Sequence, residues 1–165
     1  MATHEQLILQ LRQLVDRVPP ALRSISDEQA ASGSGPDKWS AKQELGHLLD
    51  SAIVNHYRWV RVLSEENPTL PGYDGPSWVS LHNYQQRDWA DLIDTWQRLN
   101  QHMLMLAEGI SADVWQRSAI FDAKSATLEF MLNDYVHHAA DHLVHFSGLS
   151  KADLGLTDDT ERAIA

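Results

Sequence analysis

Apolar residues recur at every third or fourth position in four long segments of this sequence, and that period constrains the fold most. It is typical of α-helices that each bury one face. The predicted helices cover residues 4–18, 40–63, 84–106, and a last segment that begins at Ser125 or Thr127 and ends before Gly148. Four long amphipathic helices with few strand signals predict an all-α fold, a four-helix bundle with long crossover loops.

Local signals set the expected boundaries of these helices. Pro19-Pro20 is expected to interrupt the first helix after Val18, because proline lacks the backbone N–H that a helix interior needs. Ser40 and Gln43 have the spacing of a capping box, which places the start of the second helix near Ser40. Gly109 is expected to stop the third helix.

The segments between the helices contain many glycines and prolines. Residues 31–37 and 66–80 are predicted to be loops without regular structure. Residues 110–126 give mixed signals, with a short extended piece at 119–121 and a turn at 122–125 as candidates, and no firm prediction is made for this segment. The final segment, 151–165, is polar and is expected to fray or to form a short extra helix.

Composition narrows the class of protein and its partners. With 165 residues, 43% apolar and 22% charged, the chain suits a single globular domain over residues 1–165. The net charge of −10 disfavours nucleic acid and anionic membranes as partners. Without cysteine, the chain cannot form a disulfide or a thiolate metal site. No secretory signal or membrane-spanning stretch is recognised, so a cytoplasmic location is expected.

Nine histidines leave imidazole as the only soft metal ligand present in quantity. His138 and His142 are four residues apart, so their rings lie on one face of a helix and can share a metal ion. Both lie within the apolar stripe of the fourth helix, where an imidazole must be satisfied by a hydrogen bond or a metal. The spacing alone leaves these two alternatives open.

A catalytic site of this kind needs a third protein ligand from another helix. Periodicity places His47 nearly opposite the apolar stripe of the second helix, on the expected solvent face. By the same count His56 is better placed, although an interior histidine at that position is as well explained as part of the core.

Several segments together resemble one known family. Residues 38–51, KWSAKQELGHLLDS, resemble the "GWT…Q…HHLADS" helix of the DinB/YfiT-like metalloenzyme superfamily. Residues 65–78, with Tyr73, Asp74 and Trp78, resemble its "E…P…YD…W" loop, and residues 135–145, YVHHAADHLVH, resemble its "YxWHSxHHxAH" helix. The resemblance implies a four-helix bundle with a divalent metal, nickel or zinc, held by His47, His138 and His142. The sequence departs from the pattern at Gly46, His137 and Asp141, none of which aligns with a ligand.

Three neutral imidazoles leave a bound divalent ion its full charge, so it can polarise a carbonyl, activate water or hold a thiolate. The superfamily includes bacillithiol S-transferases and mycothiol-dependent isomerases, and this resemblance favours transfer of a low-molecular-weight thiol to an electrophile. A metal-dependent hydrolase is the alternative, and a non-catalytic, stress-related metal-binding module is a third. The implied partners are a small-molecule substrate and a small thiol, and relatives often form homodimers.

Four further residues are candidates for roles around the site. His145 is the candidate for a proton shuttle, or else a polar residue near a helix end. Asp50 is expected to accept the second ring N–H of His47, unless it is a solvated surface charge. Tyr73 and Trp78 are expected to roof the pocket or to cover the core.

Overall fold

The four predicted helices are all present in the computed structural model, which describes residues 3–33, 35, 38–121 and 124–156. The elements, in chain order, are α1 (His4–Leu22), α2 (Asp27–Ala31), α3 (Ala41–Ser64), α4 (Gly75–His82), a 3-10 turn (Tyr84–Gln86), α5 (Trp89–Glu108), β1 (Ser118–Phe121), β2 (Lys124–Thr127) and α6 (Leu128–Leu143). Helix α3 packs against α5 and α6, and α1 packs against the same two helices. The predicted helical bundle is confirmed.

Capping boxes fix the first turns of α1, α2 and α3, as the sequence predicts for Ser40. The Ser40 hydroxyl accepts the backbone N–H of Gln43 at 3.3 Å, and the Gln43 side chain accepts the backbone N–H of Ser40 at 3.0 Å. Helix α1 begins with an equivalent pair, Thr3 and Gln6. Of the two starts considered for the last helix, Thr127 is the N-cap that the structure uses.

The prediction that Pro19-Pro20 ends the first helix is wrong, because α1 continues to Leu22. Proline has a helical φ, and Pro19 and Pro20 each forgo only the one intrahelical hydrogen bond that their own missing N–H would make. The Arg23 N–H donates to the Pro19 carbonyl at 3.0 Å and closes the turn. Continuing the helix also buries Leu22 completely, which favours the extra turn.

Part of the predicted loop at residues 66–80 is helical. Helix α4 begins at Gly75-Pro76, where proline occupies the first turn and Asp74 caps the Ser77 N–H. The predicted start of the third helix near residue 84 is instead a 3-10 turn, and α5 begins at Trp89 after the N-cap Asp88. Glycine and proline therefore mark the start of a helix in this segment, and the segment is not one continuous loop.

A β-hairpin supports the loop that leads from α3 to α4. The candidate extended piece at 119–121 lies in strand β1, which pairs antiparallel with β2. Ile120 exchanges backbone hydrogen bonds of 2.9 Å with Pro68 and Leu70. This pairing holds the loop beside α3 and α6. Part of the expected turn at 122–125 and most of segment 151–165 lie outside the described residues.

The buried faces of α1, α3, α5 and α6 share one apolar core. Its largest fully buried side chains include Trp59, Trp96, Trp115 and Tyr135. Within the described ranges, every helix is too short or too polar to cross a membrane.

Candidate metal centre

Three histidines converge where α3 and α6 run antiparallel. His47 lies on α3, and His138 and His142 lie one turn apart on α6. One ring nitrogen from each histidine lies within 4.8 Å of those of the other two. Nε2 of His47 is 3.1 Å from Nε2 of His138. The structure therefore places side by side the three residues that the resemblance implies as ligands.

His47 is buried, contrary to the periodicity argument that placed it on the solvent face. Its exposed fraction is 9%. Every residue from Leu45 to Ala52 is buried, because α4, α5, α6 and the 3-10 turn together surround this part of α3. A helix enclosed in this way has no solvent face for a periodicity count to identify.

Burial also determines the charge state of His47. Desolvation is the main reason that its pKa falls to about 4, and the nearby His142 acts in the same direction. Glu44 opposes both effects. At neutral pH His47 is therefore an uncharged imidazole, which is the form that binds a metal.

Polar groups contact the ring nitrogens on the outer side of the cluster. The carboxylate of Glu44 hydrogen-bonds Nδ1 of His142 and so leaves Nε2 as the nitrogen for a metal. The Ser51 hydroxyl lies 3.4 Å from Nδ1 of His138. Partners of this kind fix the tautomer and orientation of a ligating histidine.

The loop before α4 lies directly over His47. A Cβ added to Gly75 would be 3.0 Å from Cε1 and 3.2 Å from Nδ1 of the His47 ring. Trp39 packs on the same ring, with centroids 5.2 Å apart. Nδ1 of His47 is buried and has no hydrogen-bond partner among the described residues. Contacts with Gly75 and Trp39, rather than a hydrogen bond to Nδ1, hold this side of the ring in place.

The donor set fits a divalent metal. Neighbouring nitrogens in a tetrahedral site lie roughly 3.3 Å apart when each is about 2.0–2.1 Å from the ion. The distance of 3.1 Å between His47 and His138 is close to that value. Three neutral imidazoles suit zinc and nickel alike, so the cluster supports a divalent metal.

Asp50 does not accept the second ring N–H of His47, because Nδ1 of that ring has no hydrogen-bond partner among the described residues and Nε2 faces His138. Its carboxylate is fully buried and accepts from the Tyr84 hydroxyl at 2.7 Å and from Nδ1 of His82 at 3.0 Å. Gly46 makes this possible, because a Cβ there would be only 2.1 Å from Cδ2 of Tyr84. Burial raises the pKa of Asp50, and the hydrogen bond from Tyr84 opposes that shift.

Of the other candidate residues, Tyr73 and Trp78 lie beside the histidine cluster, whereas His145 lies at the surface. Tyr73 packs on Trp78, with ring centroids 5.2 Å apart, and it also contacts Ser51 and the loop at Gly75. Both aromatic residues are half-buried beside the site. His145 is exposed, and its ring centroid is 6.3 Å from that of His142.

His56 belongs elsewhere, since its ring packs on His102 of α5 with centroids 4.9 Å apart. Three residues of the site were missed in the sequence: Glu44, Ser51 and Gly75. A usable signal was present for two of them, because Glu44 and Ser51 flank His47 at helical spacings of three and four residues.

The fold and the cluster define a class: a helical bundle with three clustered histidines whose nitrogens fit a divalent metal. The chain belongs to the DinB superfamily, whose family model matches residues 10–145. It is 27% identical over 145 residues to the Bacillus subtilis protein named "Putative metal-dependent hydrolase YfiT", covering 84% of this chain and 82% of that protein. A protein of the same description from Oceanobacillus iheyensis is 24% identical, covering 77% of this chain and 74% of the relative.

Solved structures show the same architecture. YfiT from Bacillus subtilis, described as having an unusual four-helix bundle topology, superposes with a TM-score of 0.78 at 24% identity, covering 95% of this chain and 92% of that one. The mycothiol-dependent maleylpyruvate isomerase superposes with a TM-score of 0.68 at 14% identity, covering 87% of this chain and 60% of that one. At these identities the likeness establishes the shared fold.

Proposed function

We propose that this protein is a metal-dependent enzyme that transfers a low-molecular-weight thiol to an electrophilic small molecule. His47, His138 and His142 would hold the ion, and nickel or zinc is the proposed metal. The observation that carries the proposal is the convergence of one nitrogen from each of the three histidines within 4.8 Å. Relatives named for metal-dependent hydrolysis support the metal-dependent part of the proposal.

A bound divalent ion supplies Lewis acidity, which lowers the pKa of a coordinated thiol or water. The residues of the chain prepare the site for that chemistry. Glu44 orients His142, and Ser51 lies beside Nδ1 of His138. Tyr73 and the loop at Gly75 cover the His47 side and limit access of water there. In the proposed reaction the thiol sulfur bonds to the electrophilic carbon, the leaving group departs with its electron pair, and the thiol proton passes to solvent.

Two specific observations favour different reactions. The likeness of the fold to a mycothiol-dependent isomerase supports the use of a small thiol. The names of the Bacillus and Oceanobacillus relatives support hydrolysis, and a metal-dependent hydrolase is therefore the second candidate. A non-catalytic metal-binding module is the third. The homodimer and the cytoplasmic location stay predictions.

Two assays on the metal-loaded protein separate these candidates. Conjugation of N-acetylcysteine to monochlorobimane measures thiol transfer, and cleavage of 4-nitrophenyl acetate without thiol measures hydrolysis. His138→Ala removes a proposed ligand, and His102→Ala is the matched control, because His102 is an exposed histidine outside the cluster. We expect metal-dependent conjugation that His138→Ala abolishes and His102→Ala retains.

Each other result selects another function. If the protein cleaves the ester but does not conjugate the thiol, and if cleavage depends on metal and on His138, then hydrolysis replaces thiol transfer as the proposed function. Neither activity in a protein that binds metal would support the binding module. Activity that is equal in His138→Ala and in the unmodified protein would contradict all catalytic roles of the cluster.

A further inference from the structure

The polar face of α3 that carries His47 continues well beyond the histidine cluster. Its residues occur at spacings of three, four, four and three: Glu44, His47, Ser51, Asn55 and Arg58. On α6, Asp134, His138 and His142 are each four residues apart. Because the two helices are antiparallel, Asn55 and Arg58 lie beside Asp134, on the far side of the cluster from Glu44.

A cavity of about 140 Å³ opens at this end of the seam. Phe121, Phe130 and Met131 form apolar walls, and Arg58, Lys124 and Asp134 supply the charged groups. The volume is close to the roughly 150 Å³ of an apolar cavity known to bind benzene. The cavity therefore has room for one ring-sized group.

Arg58 is already oriented toward this cavity. Its guanidinium lies over the Phe121 ring, 5.0 Å from the centroid, and one terminal nitrogen donates to the Pro71 carbonyl at 3.0 Å. Its Nε is buried and has no hydrogen-bond partner among the described residues. A guanidinium fixed by stacking and by one hydrogen bond is well suited to bind a carboxylate with its remaining donors.

The balance of charge in the cavity differs from that of the whole chain. Arg58 and Lys124 carry two positive charges against the single negative charge of Asp134, whereas the complete chain carries −10. This local excess of one positive charge favours one anionic group and disfavours a second.

The cavity connects to the metal centre through a short series of polar contacts. The Asn55 side-chain N–H₂ donates to the Ser51 hydroxyl at 3.3 Å, and that hydroxyl lies 3.4 Å from Nδ1 of His138. On α6, Asp134 is one turn from His138, a rise of about 6 Å. The cavity and the histidine cluster are therefore adjacent along the seam, with Asn55 and Ser51 between them.

We propose that this cavity is the subsite that selects the substrate, and that the substrate is an organic monocarboxylate with a ring-sized apolar group. The carboxylate binds Arg58, and the apolar group packs between Phe121, Phe130 and Met131. The reactive end then points along the seam toward the histidines. This assignment rests on the proposed function for the reaction itself, but not for binding to the cavity.

The test compares benzoate with benzamide, which has nearly the same shape and no charge, by calorimetric titration of the metal-loaded and metal-free protein. We expect benzoate to bind at least tenfold more tightly than benzamide in both forms, because charged hydrogen bonds are the stronger ones. Arg58→Gln should remove this preference. Arg98→Gln, on an exposed arginine of α5, is the matched control and should retain it.

Equal binding of the two probes, no binding of either at about 10 mM, or a preference that survives Arg58→Gln would overturn the subsite. If benzoate is preferred only when metal is bound, and Arg58→Gln does not change that preference, the carboxylate binds the ion. This result would overturn the subsite but not the proposed function. If Arg58→Gln fails to fold, Lys124→Gln supplies the same test at an exposed position and should weaken benzoate binding several-fold. Conversely, if the protein proves not to be a thiol transferase, the expected result of the metal-free titration stays the same.

Discussion

Nε2 of His47 on α3 lies 3.1 Å from Nε2 of His138 on α6, although the two residues are 91 positions apart in the chain. A buried and a half-buried imidazole at this distance either share one proton in a hydrogen bond or direct both lone pairs at one cation. The presence of His142, held by Glu44, favours the cation. Metal affinity of variants at and around the cluster separates the two states.

Glu44→Gln should lower the affinity for zinc or nickel by about 10- to 100-fold, the usual effect of removing a carboxylate that orients a metal-bound histidine. The carboxylate hydrogen-bonds Nδ1 of His142. Competition with a chelating dye measures the change. Glu5→Gln, on an exposed glutamate of α1, is the control, and equal affinities in the two variants would contradict the role of Glu44.

Gly75→Ala should weaken metal binding several-fold, because the new Cβ would lie 3.0 Å from Cε1 of His47 and push the ring away from the cluster. Alanine favours a helical first turn more than glycine does, so propensity alone would not produce a loss. Gly72→Ala is the matched control, since nothing lies within 4 Å of a Cβ there. Titration with zinc compares the two variants, and unchanged affinity in Gly75→Ala would show that the ring tolerates the contact.

Gly46→Ala should destabilise the fold by about 1–3 kcal/mol or more, the range for overpacking a core. The added Cβ would be 2.1 Å from Cδ2 of Tyr84, whose hydroxyl is bound to buried Asp50. Urea unfolding measures the loss. A stability equal to that of the unmodified protein would mean that Tyr84 can move without breaking its hydrogen bond to Asp50.

Asp27 should contribute to the loss of stability in acid. Its hydrogen bond with Lys42, together with the N–H of Trp89, lowers the pKa of the Asp27 carboxyl in the folded state. Its contribution is therefore complete above the unfolded pKa of about 3.9 and disappears as pH falls through the lower folded value. Urea unfolding between pH 7 and pH 2 should show a shallower decline for Asp27→Asn than for the unmodified protein. Parallel declines would assign the acid sensitivity to other groups.

Local signals in the sequence were enough to predict the main helices. The spacing of apolar residues located all four, and the Ser40–Gln43 pair located the start of α3, because both signals depend on residues within one or two turns. Pro19-Pro20 misled for a physical reason: the energy gained by burying Leu22 is tertiary, and a local rule for proline does not include it.

The site was harder to predict from the sequence than the fold. Periodicity placed His47 in solvent, since it assumes that a helix has one exposed face, whereas α3 is enclosed from Leu45 to Ala52. Only the family resemblance pointed to His47. Asp50 was predicted to contact it, but the ring of Tyr84, packed on Gly46, brings a hydroxyl to that carboxylate from 34 residues away. Contacts of this range leave no periodic signal.

Metal analysis of the protein purified without added metal tests most directly whether the three histidines hold one ion. We expect about one equivalent of nickel or zinc per chain in the unmodified protein and in His102→Ala, and almost none in His138→Ala. Equal metal content in His138→Ala and in the unmodified protein would contradict the three-histidine site and the chemistry proposed for it.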